Sequence, residues 1–369
     1  MPNLANNMFW FGTLSWGVMS SIPAQAGFEL TEAEKKKLRQ QWTDKKRYCY
    51  TTGSRKEAGG HTQRFLKILN KCDPKTYFLF ARQVYFTEFL ASTGILTTRK
   101  VVAKEMSPFA AAQWAVFETF EHKARIGFIE HADEMKALTR SDGERCGHEL
   151  YALHHLPVEK MPWQLRLIMK RFPGSYSEMR KRLDEKLRKK VRLEGDPYRY
   201  ESHAERLAQR LNIDAFEDKA RRLLEHWRVT IEAPEHRGIF FVHGDMAPNN
   251  LYAHDDGNIE FLDFEWVGIT HNRIKALVTD FGNLHGRAWN NPAYQDALRD
   301  ELMRCFENDG MAEAGKAVVS LGILFSHVGL SGAFENYAPD KRDVPLQRER
   351  REATEQLLRK AWDIAGLIL

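Results

Sequence analysis

The sequence predicts a protein of mixed strands and helices, large enough to divide into two lobes and mainly helical in its second half. Three observations predict it. The chain has 369 residues, 43% hydrophobic and 28% charged, enough to bury a substantial core and to divide into two lobes. Strand-like apolar runs occur at 63–70 (QRFLKILN) and 238–242, and a hairpin pattern follows at 251–262. From Ser175 onward, apolar residues recur at helical spacing through much of what remains.

Residues 1–28 hold no charged side chain and include Phe9, Trp10, Phe11, Leu14, Trp16 and Val18, ending near Ala24-Gln25-Ala26. No Lys or Arg precedes the apolar stretch, which argues against an export signal. Lys35, Lys36, Lys37 and Arg39 follow it, on the side that a positive-inside bias keeps in the cytoplasm. The stretch is nevertheless short and only moderately apolar for about 30 Å of hydrocarbon. Packing against the protein, or peripheral membrane contact, is the expectation for 1–28. Thr31 and Glu34 then form a capping-box pattern at the start of a helix.

The hairpin carries the chemistry. Positions 251–254 and 259–262 flank Asp255-Asp256-Gly257-Asn258. With Asp256 and Gly257 as a two-residue turn, Asn250 stands opposite Asp263. Opposed side chains on one face lie roughly 5 Å apart at Cβ, close enough for a carboxamide oxygen and a carboxylate to share one hard cation. A three-residue loop shifts the register by one and puts them on opposite faces. Asp245 lies five residues before Asn250, in the loop that leaves the apolar strand 238–242. Turn formation alone accounts for Asp255, Asp256 and Asn258. It does not account for His243-Gly244-Asp245. His243 itself, at the end of an apolar strand, reads as a packed structural imidazole.

His243-Gly244-Asp245, the Asn at position 250 and Asp263-Phe264-Glu265 together resemble the signature of aminoglycoside phosphotransferase-like and choline kinase-like enzymes. That resemblance implies an α+β, two-lobed protein kinase-like fold, with a small antiparallel nucleotide-binding lobe at 29–118 and a helical lobe at 119–369. It implies Asp245 as catalytic base, Asn250 and Asp263 as Mg²⁺ ligands, and ATP as donor. Gly244 stands where protein kinases have Arg, as is usual in the phosphotransferase branch, and Glu265 replaces the Gly after Asp-Phe.

The same resemblance calls for a phosphate-binding Lys in the first lobe and a helical Glu to hold it. Lys67 in 63–70 and Glu88 in the helix-compatible stretch 74–92 come in the right order. Lys104, in Lys100-Val101-Val102-Ala103-Lys104, looks more like the kinase V-A-I-K. However, too few residues then separate it from 149–156 (ELYALHHL), which resembles the helix after the kinase hinge. With Lys67 instead, 99–106 is the next strand and 113–120 the strand entering the hinge, so that backbone near Glu118 and Phe120 binds adenine. The run 53–60 (GSRKEAGG) is either a phosphate-covering loop or a plain hairpin connection.

Further on, Ser175 or Ser177 caps a helix on which Met179, Leu183, Leu187 and Val191 form one apolar stripe. Its other faces are basic, with Arg180, Lys181, Arg182, Lys186, Arg188, Lys189, Lys190 and Arg192 outnumbering Glu178, Asp184 and Glu185. Such a run is a solvated face, or one that meets an anionic acceptor or a membrane surface. Peripheral membrane contact would run through 1–28 or 175–193. By the same resemblance, Asp280 is the downstream carboxylate that braces the catalytic loop through backbone amides. Helical periodicity at 294–308, 311–330 and 346–369 completes the second lobe.

The remaining chemistry is sparse. Cysteines at 49, 72, 146 and 305 show no C-x-x-C pair, which reads as reduced thiols in a cytoplasmic protein. A net charge of +5, with no RNA-binding or helix-turn-helix signature, gives no support for nucleic acid as a partner. A metallophosphoesterase would need an Asp-x-His strand end and a Gly-Asn-His, neither of which occurs. The expected activity is transfer of the γ-phosphoryl group of ATP to a hydroxyl of a small molecule, a sugar, aminocyclitol or amino alcohol. The alternatives are a kinase for a membrane-linked glycolipid or a protein, and a nucleotide-binding pseudokinase.

Overall fold

The structure, a computed structural model, describes residues 12–108, 110–119, 124–126, 138–193, 196–254, 256–288 and 291–335, with positions 352, 356 and 359. The chain forms two compact units. Met1–Lys123, Met161–Met169 and Asp263–Val267 make the first, and Ala124–Lys160, Lys170–Leu262 and Gly268–Leu369 the second.

In the first unit, β1 (Gly12–Thr13), α1 (Trp16–Gln25), β2 (Phe28–Glu29) and α2 (Glu32–Thr43) precede a long hairpin of β3 (Tyr48–Glu57) and β4 (Gly60–Leu69). Then come β5 (Lys71–Cys72), α3 (Pro74–Thr93), β6 (Val101–Glu105) and β7 (Trp114–Glu118). The chain departs through β8 (Ala124–Ile126) and α4 (Arg140–His154) of the second unit and returns for the short helix α5 (Trp163–Ile168). Five strands form an antiparallel sheet in the order β2-β3-β4-β7-β6. The order of strand, helix, strand and strand from Lys67 onward is the one expected.

The sheet has apolar side chains on both faces, and successive residues of a strand alternate between them. Leu66 and Ile68 of β4, Cys49 of β3 and Val116 of β7 face α1 and α2, whose Met19, Ile22 and Leu38 are fully buried there. On the opposite face Leu69, Ala115 and Phe117 pack against Phe80, Ala81 and Val84 of α3. Lys67, one residue from both Leu66 and Ile68, therefore points to the α3 side.

The described part of the apolar leader is a structural element of this sheet. Leu14, Met19, Ile22, Ala26 and Phe28 are buried in its core, which matches packing on the protein. Among the described residues no helix is long and apolar enough to cross a membrane. Thr31 and Glu34 make the capping box. The 53–60 run is the β3–β4 hairpin itself, Glu57 pairing with Gly60 across Ala58-Gly59. Arg55 and Arg64 both bond the Glu57 carboxylate there.

In the second unit β9 (Lys170–Arg171), α6 (Tyr176–Leu187), β10 (Lys190–Leu193), β11 (Asp196–Ser202), α7 (His203–Leu211), α8 (Phe216–His226) and α9 (Arg228–Glu232) lead to β12 (Arg237–Val242). The hairpin β13 (Leu251–Ala253) and β14 (Ile259–Phe261) follows, then β15 (Gly268–Asn272), α10 (Arg273–Arg287), α11 (Pro292–Asn308) and α12 (Ala312–Glu335). The expected helix at 346–369 lies almost wholly outside the described residues. Ser175 caps α6 in a capping box with Glu178, and Met179, Leu183 and Leu187 form its buried stripe. Two small sheets, β12-β15-β9 and β14-β13-β8, flank the loop that holds Asp245.

The hairpin register differs from expectation. Leu251 pairs with Phe261 and Ala253 with Ile259, and the His254 amide donates to Asn258 O at 2.8 Å, so three residues form the loop, not two. Gly257 takes the left-handed φ of 83° that closes such a loop, and Asp256 bonds both the amide and the carboxamide of Asn258. Asn250 consequently stands across from Leu262, whose amide donates to Asn250 O at 2.8 Å. The opposed-pair argument for Asn250 and Asp263 does not hold, because β14 has ended by Phe261 and Asp263 is itself left-handed at φ 60°.

Candidate active site

In the second unit, the loop 243–250 is held from three directions. Asp280, completely buried on α10, accepts the His243 amide at 2.7 Å on Oδ2 and the Gly244 amide at 3.0 Å on Oδ1. His154 of α4 brings its Nε2 to 3.3 Å from the same Oδ2. Asp280 thus braces the loop as expected. Gly244 sits at φ 81°, a left-handed conformation that a side chain would strain. The buried His243 ring donates from Nε2 to Leu262 O at 2.8 Å, which leaves Nδ1 to accept the Asp245 amide at 3.4 Å. Both nitrogens serve structure, which is the role expected for this residue.

Asn250, buried in a short 3₁₀ turn, donates its Nδ2 to Asp245 O at 2.8 Å. That bond commits the amide nitrogen and leaves the carboxamide oxygen as the atom able to take a cation. The Asp245 side chain is 36% exposed, and Arg287 at the end of α10 places Nη1 3.1 Å from its Oδ1. Sequence reasoning missed Arg287. No motif marks it, since it meets Asp245 only through the packing of α10 beside β12.

In the first unit, Lys67 Nζ donates to Glu265 Oε1 at 2.8 Å and to Gln83 Oε1 of α3, and lies 4.1 Å from the Tyr48 ring centroid. The expected Lys67–Glu88 pair is not formed. Glu88 bonds Lys104 of β6 instead. The reason is helical phase, since Gln83 and Glu88 are five residues apart and so about 140° apart around the axis. One faces β4 and the other faces β6.

Glu265 is the second residue missed. Burial and the neighbouring Asp263 carboxylate push its pKa up, while Lys67 and Arg47 pull it back. Burial and Glu265 likewise raise the Tyr48 phenol well above its ordinary value. Arg47 Nη1 is 3.6 Å from Glu265 Oε2, and Arg82 Nη1 donates to Glu265 O at 3.1 Å. Phe264 packs against Phe86 with ring centroids 4.9 Å apart and planes tilted by 56°, which anchors the Asp-Phe-Glu segment on α3.

Asp263 Oδ1 is buried and has no hydrogen-bond partner. A buried carboxylate oxygen without a partner is costly, and a hard divalent cation is one group able to satisfy it. Carboxylate and carboxamide oxygens are donors of the kind Mg²⁺ takes, so Asp263 and Asn250 fit that ion chemically. Glu118, at the end of β7, exchanges hydrogen bonds with Lys100 through its amide and its carboxylate. Phe120 lies outside the described residues.

No family model and no curated protein matches the chain. Solved structures similar to it include a macrolide 2'-phosphotransferase from Brachybacterium faecium, at 11% identity over 93% of this chain and 97% of that one, with a TM-score of 0.44. An ethanolamine kinase from Plasmodium vivax shows 11% identity over 95% and 98%, with a TM-score of 0.45. A choline/ethanolamine kinase family protein from Mesorhizobium loti shows 13% over 92% and 97%, with a TM-score of 0.44.

Proposed function

We propose that this protein is a phosphotransferase that moves the γ-phosphoryl group of ATP to a hydroxyl of a small molecule. The observation that carries the proposal is the construction of the Asp245 loop. Asp280 fixes two consecutive amides, Asn250 fixes the Asp245 carbonyl, and the Asp245 carboxylate, paired with Arg287, is left partly exposed. A loop held this firmly around one accessible carboxylate suits a group that must meet an acceptor in a single orientation.

Asp245 orients the acceptor hydroxyl and takes its proton as the oxygen–phosphorus bond forms and ADP leaves. Asn250 and Asp263, the latter with an unpartnered Oδ1, would hold Mg²⁺, which when bound would offset charge on the phosphate oxygens. Lys67, oriented by Glu265 and Gln83, binds the α- and β-phosphate oxygens of the nucleotide. Arg287 beside the base disfavours a polycationic acceptor, because the two cations would repel at short range. Neutral or anionic hydroxyl compounds are the acceptors this charge pattern favours.

The test is a γ-labelled ATP screen of small-molecule fractions, run in parallel with Asp245→Ala. Label should pass to a non-cationic acceptor with the native protein, and kcat should fall by at least about a hundredfold in the variant, a usual scale for a positioned acid–base group. Equal turnover by the variant would refute the role of Asp245.

A further inference from the structure

We propose that His148, Glu301 and Cys305 form a zinc-binding site where α4 packs on α11, apart from every residue assigned to phosphoryl transfer. Glu301 and Cys305 are four residues apart on α11 and so share one face. His148 comes from α4, which approaches α11 closely because Gly147 carries no side chain. A Cβ there would stand 2.9 Å from Leu298 O.

The geometry is near that of a bound ion. His148 Nδ1 lies 3.8 Å from Glu301 Oε1, Cys305 Sγ lies 3.7 Å from the same oxygen, and all three donors fall within 4.8 Å of one another. Zinc bond lengths to nitrogen, oxygen and sulfur give tetrahedral edges of about 3.4–3.6 Å. Two of the three edges are therefore within a few tenths of an ångström of the required length. The exposed His148 ring is free to close the third. Imidazole, carboxylate and thiol together suit zinc and do not suit magnesium or calcium. A cleft of about 700 Å³ reaches His148 and Glu301, with Glu144, Arg140, Arg145 and Arg304 also lining it.

One group competes with the ion. Arg304 donates from Nε and Nη2 to the two oxygens of Glu301, at 2.8 and 2.7 Å. Its side chain is 66% exposed on a flexible stem, so it can leave without disturbing packing. The Cys305 thiol is protonated at neutral pH, held up at about 11 by burial and Glu301. Zinc binding replaces the S–H bond with an S–Zn bond and releases that proton to solvent.

Cobalt(II) titration of the purified full-length protein, without nucleotide, tests the site. One equivalent should bind with an intense near-ultraviolet thiolate-to-metal band and visible bands of tetrahedral strength. Cys305→Ser should abolish the ultraviolet band and weaken binding by at least about tenfold, a loss that even an outer-shell partner causes. Arg304→Ala should tighten binding by about threefold to fivefold, the scale of an exposed ion pair lost from the competition, which a merely structural Glu301 would not produce. Circular dichroism of each variant shows that it is folded. No thiolate band in the native protein, a band retained in Cys305→Ser, or no tightening in Arg304→Ala would each overturn the proposal. Since ATP is absent, these results are independent of phosphoryl transfer.

Discussion

Asp245 owes its position to residues that carry no charge to the substrate. The left-handed φ at Gly244 turns the chain so that two amides meet Asp280, and a side chain at that position would have to be strained into it. Gly244→Ala should therefore lower stability by about 1 kcal/mol and reduce turnover together, as read from urea unfolding and initial rates. Unchanged stability and rate would show that the turn is not required. At this scale the motif residues were readable in the sequence, because Asp245, Asn250 and Asp263 lie within nineteen positions at kinase-like spacing. Arg287 and Glu265 were not read, since their partners lie far away in sequence and no short-range pattern encodes those contacts.

The elements show where pattern reading succeeds and stops. The hairpin at 251–261, the strand 237–242, the helix after Lys67 and the capping boxes at Thr31 and Ser175 all occur where local signals put them. The face of α3 was not readable. Buried Leu79, Phe80, Ala81, Val84, Phe86, Phe89 and Leu90 leave it apolar around much of its circumference, so no stripe says which polar residue meets the sheet. Gln83 meets Lys67, and Glu88 meets Lys104 at the sheet edge. The two lysines should accordingly separate on mutation. Lys67→Met should lower kcat/KM for ATP by at least about a hundredfold, while Lys104→Met should change it less than about threefold. The reverse order would contradict the proposal that Lys67 binds the phosphates. Hairpin register failed for a related reason, since one residue in a loop decides it and Asp-Gly serves loops of either length.

Over the whole molecule, buried charge sets a pH dependence. Lys275, 3% exposed on α10, is lowered from the ordinary 10.5 to about 7, first by burial and then by the cations Arg182 and Lys186, with Asp280 and Glu178 opposing. The unfolded chain binds this proton up to a higher pH than the folded one, so stability rises as pH increases above about 7. Burial raises the Cys49 and Cys146 thiols from 9.0 to about 12, and this acts in the opposite sense once the unfolded thiols ionise near 9. Melting temperature should climb from pH 7 to a maximum near 9, and Lys275→Met should reduce that climb, leaving the part due to Lys186, which burial lowers to about 8. A native profile that falls across this window would contradict the lowered pKa of the buried Lys275.

The central proposal is that Asn250 and Asp263 each contribute to holding the divalent ion of a metal–nucleotide complex. Binding of Mn²⁺ with a non-hydrolysable ATP analogue, followed by electron paramagnetic resonance, measures this without any knowledge of the acceptor. Asn250→Ala and Asp263→Ala should each weaken metal–nucleotide binding by at least about tenfold, with little change for the metal-free nucleotide. Native affinity for the metal–nucleotide complex in either variant would contradict the account.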